Sequence, residues 1–179
     1  MMEKENWVQL VDEQDNPIWM MEKMEAHRLP ALHRAVSILV FNSRGEWLLH
    51  QRADEKYHSG GLWTNACCTH PFVGESYEKA ARRRLAEEMG VAVKGELKPA
   101  FDFVYRAKVN DELTEYEYDR VLLYTTDEEP MPNADEVQSW KYIGHQDLSV
   151  DMRKNPDDYT EWFKLIFAKC EEAGLCKSL

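Results

Sequence analysis

The sequence has no long hydrophobic run and far fewer basic than acidic residues. Its longest apolar stretches, such as VSILVF, are too short to span a bilayer, and its start, MMEKENW, lacks a basic region followed by an apolar core. The formal net charge of −11 disfavours nucleic acid and anionic membranes as partners, because both attract clustered Lys and Arg. We therefore expect a soluble, cytoplasmic protein in which any anionic ligand meets a local basic pocket.

Cysteines are few, and their placement argues against a disulfide framework. The four are Cys67, Cys68, Cys170 and Cys176. The adjacent pair would need strained geometry to bond, and reduced thiols fit the cytosol. With 179 residues, of which 44% are apolar, the chain is expected to form a single domain over residues 1–179 with a substantial core.

One helix has well-marked limits. The residues that recur at the spacing of one helical face are Ala81, Leu85 and Met89. Gly90 follows them, where a left-handed cap is favoured, so the pattern predicts a helix from Tyr77 to Met89. Arg84 and Glu88 lie one turn apart on this helix. A carboxylate at this position could point into a cleft and hold a divalent cation.

Alternation of apolar and polar residues predicts strands in hairpin pairs. The strands are expected at residues 7–11, 18–21, 36–41, 46–52, 101–109, 113–125 and 137–143. Asp147 is expected to cap a short helix, and Asn155-Pro156 to open a final amphipathic helix. Paired strands with a helix after the third or fourth indicate a mixed sheet between helices, an α/β/α sandwich of the α+β or α/β class.

The predicted helix and the loop before it resemble the Nudix box. The matching residues are Glu75, Arg83, Leu85, Glu87, Glu88, Gly90 and Val91. Thr69 stands where the pattern has its first glycine, and Arg84 stands where it has the glutamate after Arg83. Nudix hydrolases use that glutamate, together with the Glu-Glu pair, to gather metals around a diphosphate. The cation at this position therefore argues against ordinary pyrophosphate hydrolysis.

Further motifs resemble type 1 isopentenyl-diphosphate Δ-isomerases over roughly the whole chain. They are NACCTHP at residues 65–71, DFVYRA at 102–107, EYEYD at 115–119, and the pair His27 and His33. The resemblance implies a Nudix-fold α/β/α sandwich that interconverts isopentenyl and dimethylallyl diphosphate through a tertiary carbocation, in isoprenoid biosynthesis. The expected partner is a small prenyl diphosphate, and the expected assembly is a monomer or weak homodimer.

Histidines and glutamates are expected to form a site for one divalent ion. Imidazole and carboxylate suit several metals, and the resemblance favours Mn²⁺ or Mg²⁺, with Zn²⁺ as another candidate. The expected ligands are His27, His33, His70, Glu115 and Glu117. The two glutamates share one strand face, where they would repel unless a cation lay between them. The other interpretation is an exposed acidic edge with unrelated surface or core histidines. His50, His58 and His145 match no motif and are expected at the surface.

Moving a double bond in an unactivated alkene needs an acid on one face and a base on the other. By the resemblance these groups are Cys68 and Glu117, with Tyr105 assisting proton delivery beside Glu117. The other interpretation of Cys68 is a small buried hydrophobic residue. Cys67 is expected to take that role, since neighbouring strand residues point to opposite faces.

The carbocation and the diphosphate each need complementary groups. An aromatic face can stabilise the cation. Trp162 matches the family's tryptophan, and it also fits an apolar helix stripe with Leu165 and Ile166. For the diphosphate, the resemblance implies Mg²⁺ held by Glu88 together with the basic residues Lys23, Arg52, Lys56 and Arg84. The segment KYHSGGLW lacks a proline that many relatives have, which leaves the position of the Lys56 loop open.

Two other functions remain open at this point. A Nudix diphosphate hydrolase that tolerates Arg84 would release phosphate or nucleotide. A Nudix-like binding module is permitted by the loss of one box glutamate. The presence of Cys68, His70, Glu115 and Glu117 together argues against the binding module.

Overall fold

A computed structural model describes residues 6–56 and 58–175 of the chain. The strands are β1 (Trp7–Val11), β2 (Pro17–Glu22), β3 (His33–Phe41), β4 (Trp47–Arg52), β5 (Trp63–Asn65), β6 (Cys67–Thr69), β7 (Lys98–Lys108), β8 (Thr114–Thr125) and β9 (Val137–Ile143). The helices are α1 (Lys23–Arg28), α2 (Tyr77–Met89), α3 (His145–Lys154) and α4 (Glu161–Glu172). Cys176 lies outside the described residues.

Strand β3 is the centre of a mixed sheet. It pairs antiparallel with β1, β4 and β6, and parallel with β8. Strand β2 pairs with β1 at one side of the sheet, and β7 pairs with β8 at the other. Strands β5 and β9 both pair with β4. The predicted hairpins β1–β2 and β7–β8 are confirmed. The β3–β4 hairpin is confirmed near its turn, where Val40 lies opposite Leu48.

Helices cover both faces of the sheet, because alternate residues of β3 enter two cores. Val36 and Ile38 belong to a core that contains Leu85 of α2. On the other face, Leu39 belongs to a core that contains Phe163 of α4 and residues of α3. Burying each large apolar side chain contributes about 1.5–3 kcal/mol. The predicted α/β/α sandwich with a mixed sheet is confirmed.

Helix α2 has the predicted limits because both of its ends are capped. The hydroxyl of Ser76 accepts the amide hydrogen of Lys79 at 3.3 Å. Gly90 adopts φ +65°, and its amide donates to Ala86. A Cβ at Gly90 would overlap the carbonyl group of Met131, so this position requires glycine for its space as well as its backbone angle.

The C-terminal helices begin elsewhere than predicted. Helix α3 starts after Gly144, and Asp147 lies in its first turn without capping it. Pro156 opens a 3₁₀ turn, and α4 begins only after Thr160. The chain stays extended between them because the amide of Thr160 donates to the Trp63 carbonyl of β5 at 3.0 Å.

The apolar stripe of α4 also differs from the prediction. Leu165 is exposed, and the buried residues are Trp162, Phe163, Ile166, Phe167 and Cys170. These residues face the core on the same side of the sheet as the site described below. Within residues 6–56 and 58–175, no helix combines the length and apolar character needed to cross a membrane.

Candidate active site and metal centre

One cavity of about 310 Å³ collects most of the predicted site residues. Its volume is at the lower end of the range for small-molecule pockets. The predicted residues that line it are Lys23, Arg52, Lys56, Cys68, His70, Arg84, Glu88, Tyr105, Glu115, Glu117 and Trp162. The other two, His27 and His33, are fully buried and lie in a cluster with His70 and Glu117.

Strand register explains why residues so far apart in the sequence meet. His33 of β3 lies opposite Glu117 of β8, and Tyr105 of β7 lies opposite Glu117 from the other side. Ser37 of β3 lies opposite Cys68 of β6. Side chains at facing positions on one side of a sheet are close enough for direct contact. The pairing of β3 and β8 with their neighbouring strands therefore brings the site residues together.

Four of the predicted metal ligands form one cluster. The ligand atoms of His27, His33, His70 and Glu117 all lie within 4.8 Å of one another. Nδ1 of His27 lies 2.6 Å from the carbonyl oxygen of Lys23, and Nδ1 of His33 lies 2.7 Å from that of Ala31. Since a carbonyl oxygen can only accept, both Nδ1 atoms carry hydrogen and both Nε2 atoms offer a lone pair. This donor set fits a divalent cation.

Glu115 and Glu117 share a strand face, as predicted, but they are buried instead of forming an exposed acidic edge. Burial and the neighbouring Glu117 raise the pKa of Glu115 well above its ordinary value. Burial would also raise the pKa of Glu117, but the neighbouring His33 and His70 outweigh it and hold the pKa well below its ordinary value. The pair therefore favours one neutral and one charged carboxyl group.

The prediction of a surface position is wrong for His50 and His58, which are both buried. Burial lowers the pKa of each to about 3, so both are neutral. His50 contacts the Ala66 carbonyl at 3.1 Å. His58 turns into the cavity and, with His27 and Glu115, forms a second group that could hold a metal. His145 is half-buried and stacks on Trp47.

The thiol of Cys68 faces the cavity, whereas Cys67 is fully buried in the core with α2. This difference confirms the expected alternation of the two cysteines. Sγ of Cys68 lies 3.1 Å from Oγ of Ser37 and 3.2 Å from Oδ1 of Asn65. Burial, followed by the charge of Asp119, raises the pKa of the Cys68 thiol well above its ordinary value. Cys68 is therefore a protonated thiol.

Tyr105 and Trp162 complete the reactive part of the cavity. The Tyr105 hydroxyl lies 2.7 Å from Oε2 of Glu117 and 3.0 Å from Oε2 of Glu115, so it bridges the two carboxyl groups. Trp162 is 3% exposed and belongs to the core around α4 while also lining the cavity. The guanidinium of Arg52 lies 5.3 Å from the Trp162 ring centroid.

Cations and carboxylates alternate along the α2 side of the cavity. Arg84 contacts Glu88, donates to Glu87 at 2.8 Å and lies 3.5 Å from Glu136. Lys56 contacts Glu136. Among the described residues, no group of three potential ligands includes Glu88. Its carboxylate would therefore suit a magnesium ion only if a ligand supplied further oxygen donors.

The other basic residues face the same space. Burial, with Arg84 and Lys56 nearby, lowers the pKa of Lys23. All three cations line the same cavity, where like charges disfavour the protonated form of Lys23. Positive charge concentrated in this way within an acidic protein suits a polyanionic ligand such as a diphosphate.

The sequence pattern did not identify several residues that contact the predicted ones. Ser37 donates to Asp119 at 2.7 Å and contacts Cys68, while Asn65 accepts from Cys68. Burial and Glu117 raise the pKa of Asp119 to about 8. Asp119 continues the alternation of Glu115 and Glu117 and could have been found from it. No sequence signal marks Glu136 or His58.

Known proteins similar to this chain agree on its family. A NUDIX domain matches residues 31–163. The isopentenyl-diphosphate Delta-isomerase 2 of Aromatoleum aromaticum is 48% identical over 175 residues, which cover 98% of this chain and 90% of that protein. The isopentenyl-diphosphate Delta-isomerase 2 of Photorhabdus laumondii is 49% identical over 157 residues, which cover 88% of each.

Solved structures show the same fold at low sequence identity. A protein from Deinococcus radiodurans has a TM-score of 0.67 at 21% identity, covering 83% of this chain and 89% of its own. A MutT protein from Methanosarcina mazei has a TM-score of 0.64 at 14% identity, covering 80% and 95%. By the matched domain and the full-length relatives, the chain belongs to the NUDIX domain family and, within it, to the isopentenyl-diphosphate Delta-isomerases.

Proposed function

We propose that this protein converts isopentenyl diphosphate to dimethylallyl diphosphate in isoprenoid biosynthesis. The observation that carries the proposal is the presence of a protonated thiol, Cys68, and a charged carboxylate, Glu117, in the wall of one small cavity. A proton added to the terminal methylene carbon gives a tertiary carbocation, and loss of a proton from the carbon nearer the diphosphate forms the new double bond. One proton enters and one leaves, so the overall charge is unchanged.

Cys68 and Glu117 are the proposed acid–base pair. The reaction is reversible, so each group acts as acid in one direction and as base in the other. Tyr105 donates its hydroxyl hydrogen at the Glu117 end and assists proton transfer there. Ser37 and Asn65 fix the position of the Cys68 sulfur.

Trp162 is the proposed stabiliser of the carbocation. Its indole is buried in the cavity wall, where little water can reach an adjacent cation. An aromatic face there contributes about 2 kcal/mol or more without offering a nucleophile. The same ring also packs in the core, so the two roles assigned to Trp162 in the sequence are compatible.

The diphosphate is proposed to lie between Lys23, Arg52, Lys56 and Arg84. Arg84 and Lys56 contact Glu88 and Glu136, so these carboxylates hold the cations in place. Glu88 is the proposed protein ligand for a Mg²⁺ ion that also binds the diphosphate oxygens. These cationic side chains in the cavity wall account for binding of an anion by a chain with a net charge of −11.

The proposed resident ion is Mn²⁺ or Mg²⁺, with Zn²⁺ as the alternative. His27, His33, His70, Glu115 and Glu117 would hold it, and all of them except the partly exposed His70 are buried. The ion would neutralise two neighbouring carboxylates that otherwise repel each other. Its chemistry is therefore to fix the charge and position of Glu117.

A pyrophosphate hydrolase is the other candidate, and Arg84 argues against it. The guanidinium stands where a Nudix hydrolase has a metal-binding glutamate, and it contacts Glu88 and Glu87. Incubation with isopentenyl diphosphate and Mg²⁺, followed by ³¹P and proton NMR, separates the two activities. We expect dimethylallyl diphosphate with both phosphorus signals retained. Release of orthophosphate or pyrophosphate without isomerisation would overturn the proposal.

A further inference from the structure

His58 is a buried imidazole in the cavity wall that belongs to none of the sequence motifs. Its side chain is 3% exposed, and Nε2 lies 3.6 Å from Oε1 of Glu115. Nδ1 lies 3.1 Å from Oγ of Ser59. The ring makes an edge contact with Trp162, with centroids 5.8 Å apart. The side chain thus has a fixed orientation, with Nε2 directed at a proposed metal ligand.

The two glutamates of β8 have different sets of partners. The Glu117 carboxylate lies 2.9 Å from Nε2 of His70 and accepts a hydrogen bond from the Tyr105 hydroxyl at 2.7 Å. Nε2 of His33 lies 3.6 Å from the same carboxylate. The Glu115 carboxyl group lies 3.0 Å from the Tyr105 hydroxyl and faces the imidazole of His58. His58 is therefore the imidazole next to Glu115, in the same way that His70 and His33 are the imidazoles next to Glu117.

A second, independent metal ion is not the best explanation of His58. The two potential ligand groups share His27. Nδ1 of His27 faces the Lys23 carbonyl, so His27 has only its Nε2 lone pair to offer and can bind one ion at a time. The arrangement instead resembles an outer group that orients a ligand, a common feature of protein metal sites.

We propose that His58 is a positioning residue that holds Glu115 in the orientation needed to bind the metal. This inference rests on the metal site assigned under the proposed function. His58 lies in the same loop as Lys56, and its carbonyl oxygen lies 3.3 Å from Nη2 of Arg52. The loop that carries Lys56 thereby also supplies the support for a proposed metal ligand.

Titration of the metal-depleted protein with Mn²⁺, with the unbound ion measured by electron paramagnetic resonance, tests this role. We expect His58→Phe, which keeps the ring against Trp162, to weaken Mn²⁺ affinity about 10- to 100-fold. His58→Gln places an amide nitrogen near the position of Nε2 and should retain affinity within about threefold. The matched control is His145→Phe, because His145 also lies against a tryptophan, Trp47, away from the cavity. It should bind Mn²⁺ as the unchanged chain does.

The same titration in a Glu115→Gln background shows whether His58 acts through Glu115. We expect His58→Phe to weaken binding no further there, because coupled residues are not additive. Additional weakening, or equal affinity of His58→Phe and the unchanged chain, would overturn the inference. His58→Leu provides a second apolar variant if His58→Phe does not fold.

Isomerase activity measured on the same samples separates this inference from the proposed function. An active, Mn²⁺-binding chain whose affinity is unaffected by His58→Phe overturns the role of His58 alone. A chain that binds Mn²⁺ in a His58-dependent manner but does not isomerise the substrate overturns the proposed function and leaves His58 as a support of the metal site. Failure of the unchanged chain to bind Mn²⁺ overturns the metal site and this inference together.

Discussion

Cys67 and Cys68 are neighbours in the chain with different surroundings. Successive residues of β6 point to opposite faces of the sheet, so Cys67 enters the core with α2 and Cys68 lines the cavity. The hydroxyl of Ser37 and the side-chain oxygen of Asn65 surround the Cys68 sulfur. At the scale of single residues, the chemistry of the site depends on which face of a strand each side chain occupies.

Replacing Cys68 by alanine should therefore affect catalysis, whereas replacing Cys67 should affect stability. Cys68→Ala removes the proposed acid–base group and should lower kcat about 10³-fold or more, with the fold retained. Cys67→Ala should keep most activity and lower the free energy of unfolding by about 1 kcal/mol, because it removes only core packing. Steady-state kinetics and urea denaturation measure both effects. Similar kcat values for Cys68→Ala and the unchanged protein would exclude Cys68 from catalysis.

His50 makes the stability of the protein dependent on pH without belonging to the proposed metal site. Burial, with Arg52 nearby, lowers its pKa from 6.5 to about 3 in the folded chain. The unfolded chain therefore binds a proton first, so stability is complete above pH 6.5 and decreases as the pH falls towards 3. His50→Gln should remove about 2 kcal/mol of the loss expected between pH 7 and pH 5. Parallel losses in both proteins, measured by urea denaturation, would contradict this assignment.

The loop between β4 and β5 carries Lys56, one of the proposed diphosphate-binding residues. Its ends are joined by hydrogen bonds between Arg52 and Leu62 and between Gly61 and Arg52, each at 3.0 Å. Ser59 and Gly61 adopt positive φ angles of 53° and 76°. Gly60 packs so closely on Asp54 that a Cβ would overlap its carbonyl group. This segment is a tight turn that joins Lys56 and His58 to β5.

Gly60→Ala should displace this loop. We expect the KM for isopentenyl diphosphate to rise roughly tenfold, equivalent to about 1.4 kcal/mol of binding, because Lys56 would move. Gly95→Ala is the matched control, since a Cβ at Gly95 meets no atom within 4 Å. An unchanged KM in Gly60→Ala would show that the turn does not position the diphosphate-binding residues.

Local signals made some elements predictable from the sequence and left others hidden. Helix α2 carries its own apolar stripe and caps, so its limits from Tyr77 to Met89 follow from short-range rules. The start of α4 depends on pairing between Thr160 and Trp63, which no local pattern reveals. The site motifs predicted the residues of the His/Glu cluster and the cavity-lining Cys68, but the inward orientation of His58 depends on a loop turn. Features that depend on contacts between residues distant in the sequence could not be predicted from the sequence pattern.

At the scale of the whole molecule, an acidic protein encloses a cavity with several cationic side chains in its wall. The sheet supplies the thiol, the carboxyl groups and a proposed metal ligand, α4 supplies the aromatic ring, and α2 with Lys56 supplies positive charge. The two cores keep these elements in register from opposite faces of the sheet. Prenyl carbons beside Trp162 and a diphosphate beside Arg84 would thus be bound by chemically distinct ends of one pocket.

Proton NMR of isopentenyl diphosphate in D₂O with the purified protein and Mg²⁺ tests this account most directly. It follows the methylene and methyl signals as they change. The account predicts dimethylallyl diphosphate that carries deuterium in a methyl group, because the proton added to the methylene carbon comes from an exchangeable group. Glu117→Gln should form none. Unchanged substrate signals with the wild-type protein, even after addition of Mn²⁺, would contradict the proposed isomerisation.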